Sequence, residues 1–279
     1  MKKRHILPLA LTALLSLGAC HDAPQSLTSS QPQAPASSPS KGSASPSSQG
    51  VPATDISLSA RTAKDSAHVT LHLPPFDSQS AAQAVMEQLN EALGGYYDGP
   101  IADADSLARY YLSHYLREMR EARSDFDSDA PFERSLTVSP GYETPRLVTL
   151  DLQYYEYTGG AHGGTLSQGL SFRKSDGRQM GTNVLSRLRS PEWDELAKKG
   201  LMEYFDVKTE EELQNCLLDV QLYALPLPQT EPSFQQNGLV FTYQQYEIAP
   251  YAAGMPSYVI PYDQLPPFLN ATGRRLLAK

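Results

Sequence analysis

The stretch that most constrains this chain is a strand pattern that stops at a glycine-rich loop. Val148, Leu150, Leu152 and Tyr154 recur at a spacing of two, with Thr149, Asp151 and Gln153 between them. That alternation is the signature of a half-buried strand, one face apolar and the other polar. The run then breaks at YTGGAHGG, where Gly159, Gly160, Gly163 and Gly164 surround Ala161 and His162. Glycines there open left-handed backbone conformations and permit close approach of another segment. His162 is therefore presented by a shaped loop. Three readings of it stay open: a ring that braces the loop, a direct partner contact, or a catalytic or metal-binding group. A lone histidine with no second ligand near it in sequence is a poor metal site.

The amino terminus carries its own instruction. Lys2, Lys3 and Arg4 precede an apolar run from Ile6 to Leu17, and Leu17-Gly18-Ala19 leads into Cys20. A dozen or so apolar residues fall short of the roughly 20 that span a bilayer, and the small residues before a cysteine mark a lipoprotein-type cleavage site. Residues 1–19 are expected to be a signal peptide, with Cys20 lipidated as the first mature residue. The protein is then anchored by lipid on the extracytoplasmic side of a bacterial membrane, inner or outer. Residues 20–54 are dominated by Ser, Pro, Gln and Ala and form a tether that cannot bury enough apolar surface to order itself. With Cys20 lipidated, Cys216 has no partner for an intrachain disulfide and is expected at a core position rather than as a nucleophile.

The rest is one globular unit, with an amino-terminal half over residues 55–155 and a carboxy-terminal half over 156–279. Strands are expected over Ile56 to Ala60, His68 to Leu73, Phe132 to Ser139, Pro145 to Tyr157 and Thr165 to Arg173. Arg178 onward pairs back across Ser175-Asp176-Gly177, and Phe234 pairs across Asn237-Gly238 with Leu239 to Tyr246. Helices are expected over Asp77 to Leu93, Asp103 to Arg123, Pro191 to Phe205 and Thr209 to Leu218, the last with a Thr209/Glu212 capping box. Leu107, Tyr110, Tyr111, His114, Tyr115 and Met119 form the core face of the second helix. The mixture is α+β, a largely antiparallel sheet with helices packed on it.

Charge and motifs exclude several functions. The whole chain is −8, and without Lys2, Lys3 and Arg4 it is −11, which disfavours nucleic acid and favours a cationic protein partner. No GxSxG elbow, HExxH, paired CxxC or phosphate-binding glycine loop is present. His68 and His72 in HVTLH would share a metal on a helix, but on a strand they lie about 13 Å apart, and the sequence around them reads as strand. No metal or other cofactor is expected. Glu156 and Glu247 would suit glycoside chemistry only if the fold set them about 5 to 10 Å apart.

YTGGAHG over Tyr157 to Gly163, the Asp-Gly turn, and GLVFTYQQYEIAPYAAG over Gly238 to Gly254 followed by VIPYDQL resemble a known family. It is the extracytoplasmic domain shared by the anti-sigma factor RsiV and the amino-terminal part of the peptidoglycan deacetylase PdaC. The sequence likeness lies in the carboxy-terminal half; over residues 55–150 it is architectural. The resemblance implies a PdaC/RsiV-like α+β fold. From RsiV it implies lysozyme binding by loops of the domain, without signalling, since the chain shows no sigma-binding segment or transmembrane helix. From PdaC it implies peptidoglycan as a ligand, although that family's deacetylation belongs to a separate domain. The expected function is a cell-envelope binding module for lysozyme or a peptidoglycan-related ligand. Its contacts are expected at Tyr157, Thr158, Gly159, Gly160, His162, Pro250 and Tyr251. The alternative is an envelope hydrolase or deacetylase using His162 with a carboxylate.

Overall fold

A computed structural model describes residues 50–125 and 129–278. The expected signal peptide, Cys20 and nearly all of the tether lie outside these residues. Pro46–Lys279 forms one compact unit.

β1 (Thr54–Arg61) and β2 (Asp65–Leu73) form a hairpin. α1 (Gln79–Ala92), capped by the Ser78 hydroxyl, and α2 (Ala104–Asp125) follow. Next come β3 (Phe132–Glu143), β4 (Leu147–Tyr157) and β5 (Gly164–Arg173). These build a five-stranded sheet in sequential order, antiparallel except that β2 and β3 run parallel. A parallel pair needs a crossover, and α1 with α2 supplies it. Val69, Leu136, Tyr154 and Leu166 sit in register across four strands, and Leu71, Val138 and Leu152 across three. Leu89 of α1 and Leu107, Tyr111 and Met119 of α2 close over the buried leucines and valines of this face. The core face expected of α2 is therefore the one it buries.

The second half has its own core. β6 (Ser233–Gln235), β7 (Gly238–Thr242) and β8 (Ser257–Pro261) form an antiparallel sheet. α3 (Pro191–Phe205) lies on it so closely that a Cβ on Gly200 would come within 2.5 Å of the Tyr258 Cβ. α4 (Glu210–Cys216) carries the expected capping box, and α5 (Ala271–Leu277) ends the described chain. Trp193 meets Phe241 and Phe268 edge to face at 5.1 Å, and Phe241 stacks on Tyr258 at 4.8 Å. Such pairs add about 0.5 to 1.5 kcal/mol each beyond area burial.

Four local expectations change. The polar face of β4 is only partly turned to water: Thr149 is fully buried, because β6 crosses over it, while Asp151 is half-buried and Gln153 exposed. The segment after the Asp-Gly turn makes only an isolated bridge, Phe172 to Gln179, since the chain leaves the sheet after Met180. β7 ends at Thr242 rather than Tyr246. Cys216 is half-exposed in the last turn of α4, its Sγ on the Glu212 carbonyl at 3.4 Å, not at a core position.

The crossing of β6 over β4 and β5 is a closed hydrogen-bond ring. The Phe234 amide donates to the Ser171 Oγ at 2.8 Å, the Ser171 hydroxyl to the Thr149 Oγ1 at 2.8 Å, and Thr149 to the Phe234 carbonyl at 2.7 Å. Gly169 makes room: a Cβ there would fall 2.4 Å from the Ser233 Cβ. Thr149→Val keeps the volume and breaks the ring, leaving a buried carbonyl unpaired. It should destabilise the protein by about 1 to 3 kcal/mol. Ser171→Ala should cost a similar amount and the pair less than the sum. Urea unfolding of the three variants measures both, and an unchanged midpoint for Thr149→Val would show that the ring contributes nothing.

Candidate functional site

β5 is an edge strand, and its outward backbone groups would template aggregation if left open. Two glutamines close that edge. The Gln244 side chain accepts from the Ser167 amide at 3.1 Å and donates to the Ser167 carbonyl at 2.9 Å, as a neighbouring strand would. Gln245 accepts from the Thr165 amide at 3.0 Å. Glu247 holds the glutamines' own loop, accepting from the Gln244 and Gln229 amides at 2.7 Å each. Burial pushes the Glu247 carboxyl above its ordinary range, against the pull of those two amides.

This clamp brings together two loops separated by more than 80 residues. His162 stacks on Tyr251 with centroids 3.7 Å apart and planes 17° from parallel. Its Nδ1 lies 3.1 Å from the Gly163 carbonyl, which can only accept, so Nδ1 bears the proton. Nε2 is then free to accept from the Tyr246 hydroxyl at 3.3 Å. Tyr246 is 57% exposed and sits at φ +66°, a left-handed conformation that a non-glycine residue adopts only when its surroundings impose it. Below, the Tyr204 hydroxyl at the end of α3 donates to the Ala253 carbonyl at 2.7 Å and supports the turn Tyr251–Ala253.

Most of the expected contact residues fall here. His162 and Pro250 are exposed, Tyr251 half-buried beneath the histidine ring. Tyr157 donates to the Gly160 carbonyl at 3.1 Å and so closes the loop on itself, with Thr158 and Gly159 inside that closure. Gly159 and Gly160 take φ of +86° and +107°, and a Cβ on Gly163 would strike the Tyr155 ring at 2.4 Å. Within YEIAPYAAG, Ile248 is buried core and Tyr246 is surface. Tyr204, Gln244 and Gln245 escape a reading by motif; the one available signal is the adjacent glutamine pair ahead of Tyr246.

The carboxylates are engaged elsewhere. Glu156 lies 3.2 Å from Arg134 and accepts from the Tyr154 hydroxyl at 2.9 Å. Arg134 also pairs with Glu118, which in turn lies 3.3 Å from the His114 Nε2. Burial lowers the His114 pKa. This network ties α2 to the sheet at the base of the glycine loop. His162 has no Asp or Glu within ion-pair distance among the described residues. His68 and His72 lie on β2, with His72 on Asp55 at 2.7 Å, and no group of three metal-ligating side chains occurs among the described residues.

Gln244→Ala removes both bonds to Ser167 and should speed hydrogen exchange at the Ser167 amide at least tenfold while core amides keep their protection, as NMR would show. Glu247 supplies a pH signature. Its folded pKa lies above the unfolded value of about 4.3, so the folded state holds the proton more tightly. That contribution is full below the unfolded pKa and lost as pH rises through the folded one. Glu247→Gln should flatten the decline in stability on that rise, measured as urea midpoints between pH 4 and 7; an identical slope in both proteins would contradict it.

Residues 61–165 match the family described as Deacetylase PdaC, and residues 192–263 the family described as Protein of unknown function (DUF3298). The likeness to PdaC thus reaches the amino-terminal half in sequence and not in architecture alone. No curated protein sequence matches significantly. Among solved structures, a DUF3298 family member from Bacteroides fragilis superposes with a TM-score of 0.62 at 20% identity, over 82% of this chain and 96% of that one. A DUF3298 family protein from Pseudomonas aeruginosa PAO1 does so with a TM-score of 0.55 at 16% identity, over 79% and 95%. These two share the fold. The chain carries a PdaC/RsiV-like domain of unknown function, the domain type of a cell-envelope protein.

Proposed function

We propose that this protein is a binding module that captures lysozyme or a peptidoglycan-related ligand on the surface formed by His162, Tyr246 and Tyr251, with Pro250 at its rim. Lipid at Cys20 would hold it at the extracytoplasmic face of a membrane. The observation that carries the reading is the convergence of the two loops on one aromatic cluster, with Tyr246 held outward in a conformation that costs about 1 to 3 kcal/mol. Stability alone gives no reason to keep a large ring at the surface in that state, whereas recognition does, since rigid aromatic rings bring contact area at little entropic cost. Sugar rings and protein side chains both stack on such a platform. The net charge of −8 adds long-range attraction toward a basic lysozyme.

Isothermal titration of the compact unit Pro46–Lys279 against a chicken-type lysozyme, and separately against soluble peptidoglycan fragments, tests this. One of the two should bind, and Tyr251→Ala should weaken it about 30-fold, the effect of losing a central aromatic anchor worth about 2 kcal/mol. Lysozyme binding should weaken with salt. If neither ligand binds, or if binding survives loss of both Tyr246 and Tyr251, this surface is not the capture site.

A further inference from the structure

A second surface is marked by arginines. Arg146 in the turn before β4, Arg173 at the end of β5 and Arg275 in the last turn of α5 line one open groove of about 360 Å³. Asp77, Ser175 and Thr272 also line it, with Pro145 and Leu276. In a chain of net charge −8, three arginines from separate elements line this one groove. Arg109 and Arg187 elsewhere in the fold face carboxylates, Asp105 and Glu192, as Arg173 in the groove faces Asp176. Arg146 instead donates to the main-chain carbonyls of Arg275, at 3.4 Å, and Ala278. Those carbonyls orient its guanidinium without cancelling the charge. They are also the groups at the end of α5 that would otherwise repel an anion. Arg275 makes no ion pair among the described residues. Arg173 is held as a fork by Asp176, its Nε 2.9 Å from the Oδ1.

We propose that this groove is a docking site for a phosphate group. A guanidinium fork matches the spacing of phosphate oxygens, and Arg275 can offer one; the Arg173 fork is taken by Asp176 and the Arg146 Nη1 by carbonyls, so these two contribute charge and their remaining N–H groups, and Ser175 and Thr272 add neutral donors. Asp77 and Asp176 against the three arginines leave one positive charge, which suits a singly charged phosphodiester better than a doubly charged monoester. The place of the groove in the fold points the same way. Val51 and Phe76 exchange both backbone hydrogen bonds, at 2.8 and 2.9 Å, so the chain enters the fold beside Asp77. Anchored at Cys20 through its tether, the domain would stay within reach of a bilayer, whose headgroups are phosphodiesters. That proximity rests on the proposed anchoring; the phosphate site does not, nor does it rest on the aromatic surface.

The test is titration of the full chain with inorganic phosphate and, separately, with glycerophosphoglycerol, the soluble headgroup of phosphatidylglycerol, at ionic strength matched with chloride. Phosphorus NMR line broadening reads binding, and the melting temperature reads the accompanying stabilisation. The expected result is binding of the diester, at least tenfold weaker in Arg275→Glu, whose fold is checked by circular dichroism and by its melting temperature without phosphate. Arg275→Gln, a smaller perturbation, should weaken it several-fold. Preference for the diester assigns a lipid headgroup, and binding of inorganic phosphate alone assigns a free phosphate; both uphold the site. Binding of neither beyond chloride, or equal binding by wild type and both variants, overturns it.

Discussion

The ring of three hydrogen bonds among Thr149, Ser171 and the Phe234 backbone is the interaction on which the architecture turns. A strand crossing the face of a sheet cannot use the ladder, so its amide and carbonyl need partners in a place water does not reach. Two hydroxyls, one from each of two paired strands, satisfy both groups and each other. Gly169 lets the crossing strand come close enough, and Asp151 adds a bond from Gln235 at 3.0 Å. The helix-covered sheet and the tryptophan-centred core are thereby bound through polar contacts that have one geometry, where apolar packing alone would tolerate sliding.

From that seam outward, each further contact along β5 depends on the one before. Once β6 is pinned, the segment after β7 runs beside β5, and Gln244 and Gln245 pair with its free edge. Directly after the paired glutamines Tyr246 turns outward, its hydroxyl at the His162 Nε2, and Tyr251 lies under the imidazole. The same residues protect a vulnerable edge and build the aromatic surface. A clamp of side chains rather than strand backbone holds two loops in register without extending the sheet into a template for aggregation.

His162 illustrates how geometry narrows chemistry. Its Nδ1 is committed to Gly163 and its Nε2 to a phenol, so it acts as neither an open base nor a metal ligand without first releasing Tyr246. The carboxylates that might have partnered it are held by Arg134 and by the amides of Gln229 and Gln244. The histidine braces the loop and forms part of its exposed surface at once.

Much of this was legible in the chain, because it depends on local periodicity and caps. The strand alternation of β4, the stripe of α2, the Thr209 capping box and the left-handed glycines of the loop each follow from a few neighbouring residues. The motifs at 157–163 and 238–254 fall within the stretches that match the PdaC and DUF3298 families. What lay beyond reach is long-range. Whether the polar face of β4 meets water or another strand depends on residues 80 positions away, and Thr149 reads the same either way. Gln244 pairing with Ser167, the stacking of His162 on Tyr251 and the gathering of Arg146, Arg173 and Arg275 are likewise meetings of distant segments. Composition and period set the elements, because those are governed by each residue's own backbone and its near neighbours. Only the tertiary structure decided which elements touch, because that depends on how two cores and their seam close together.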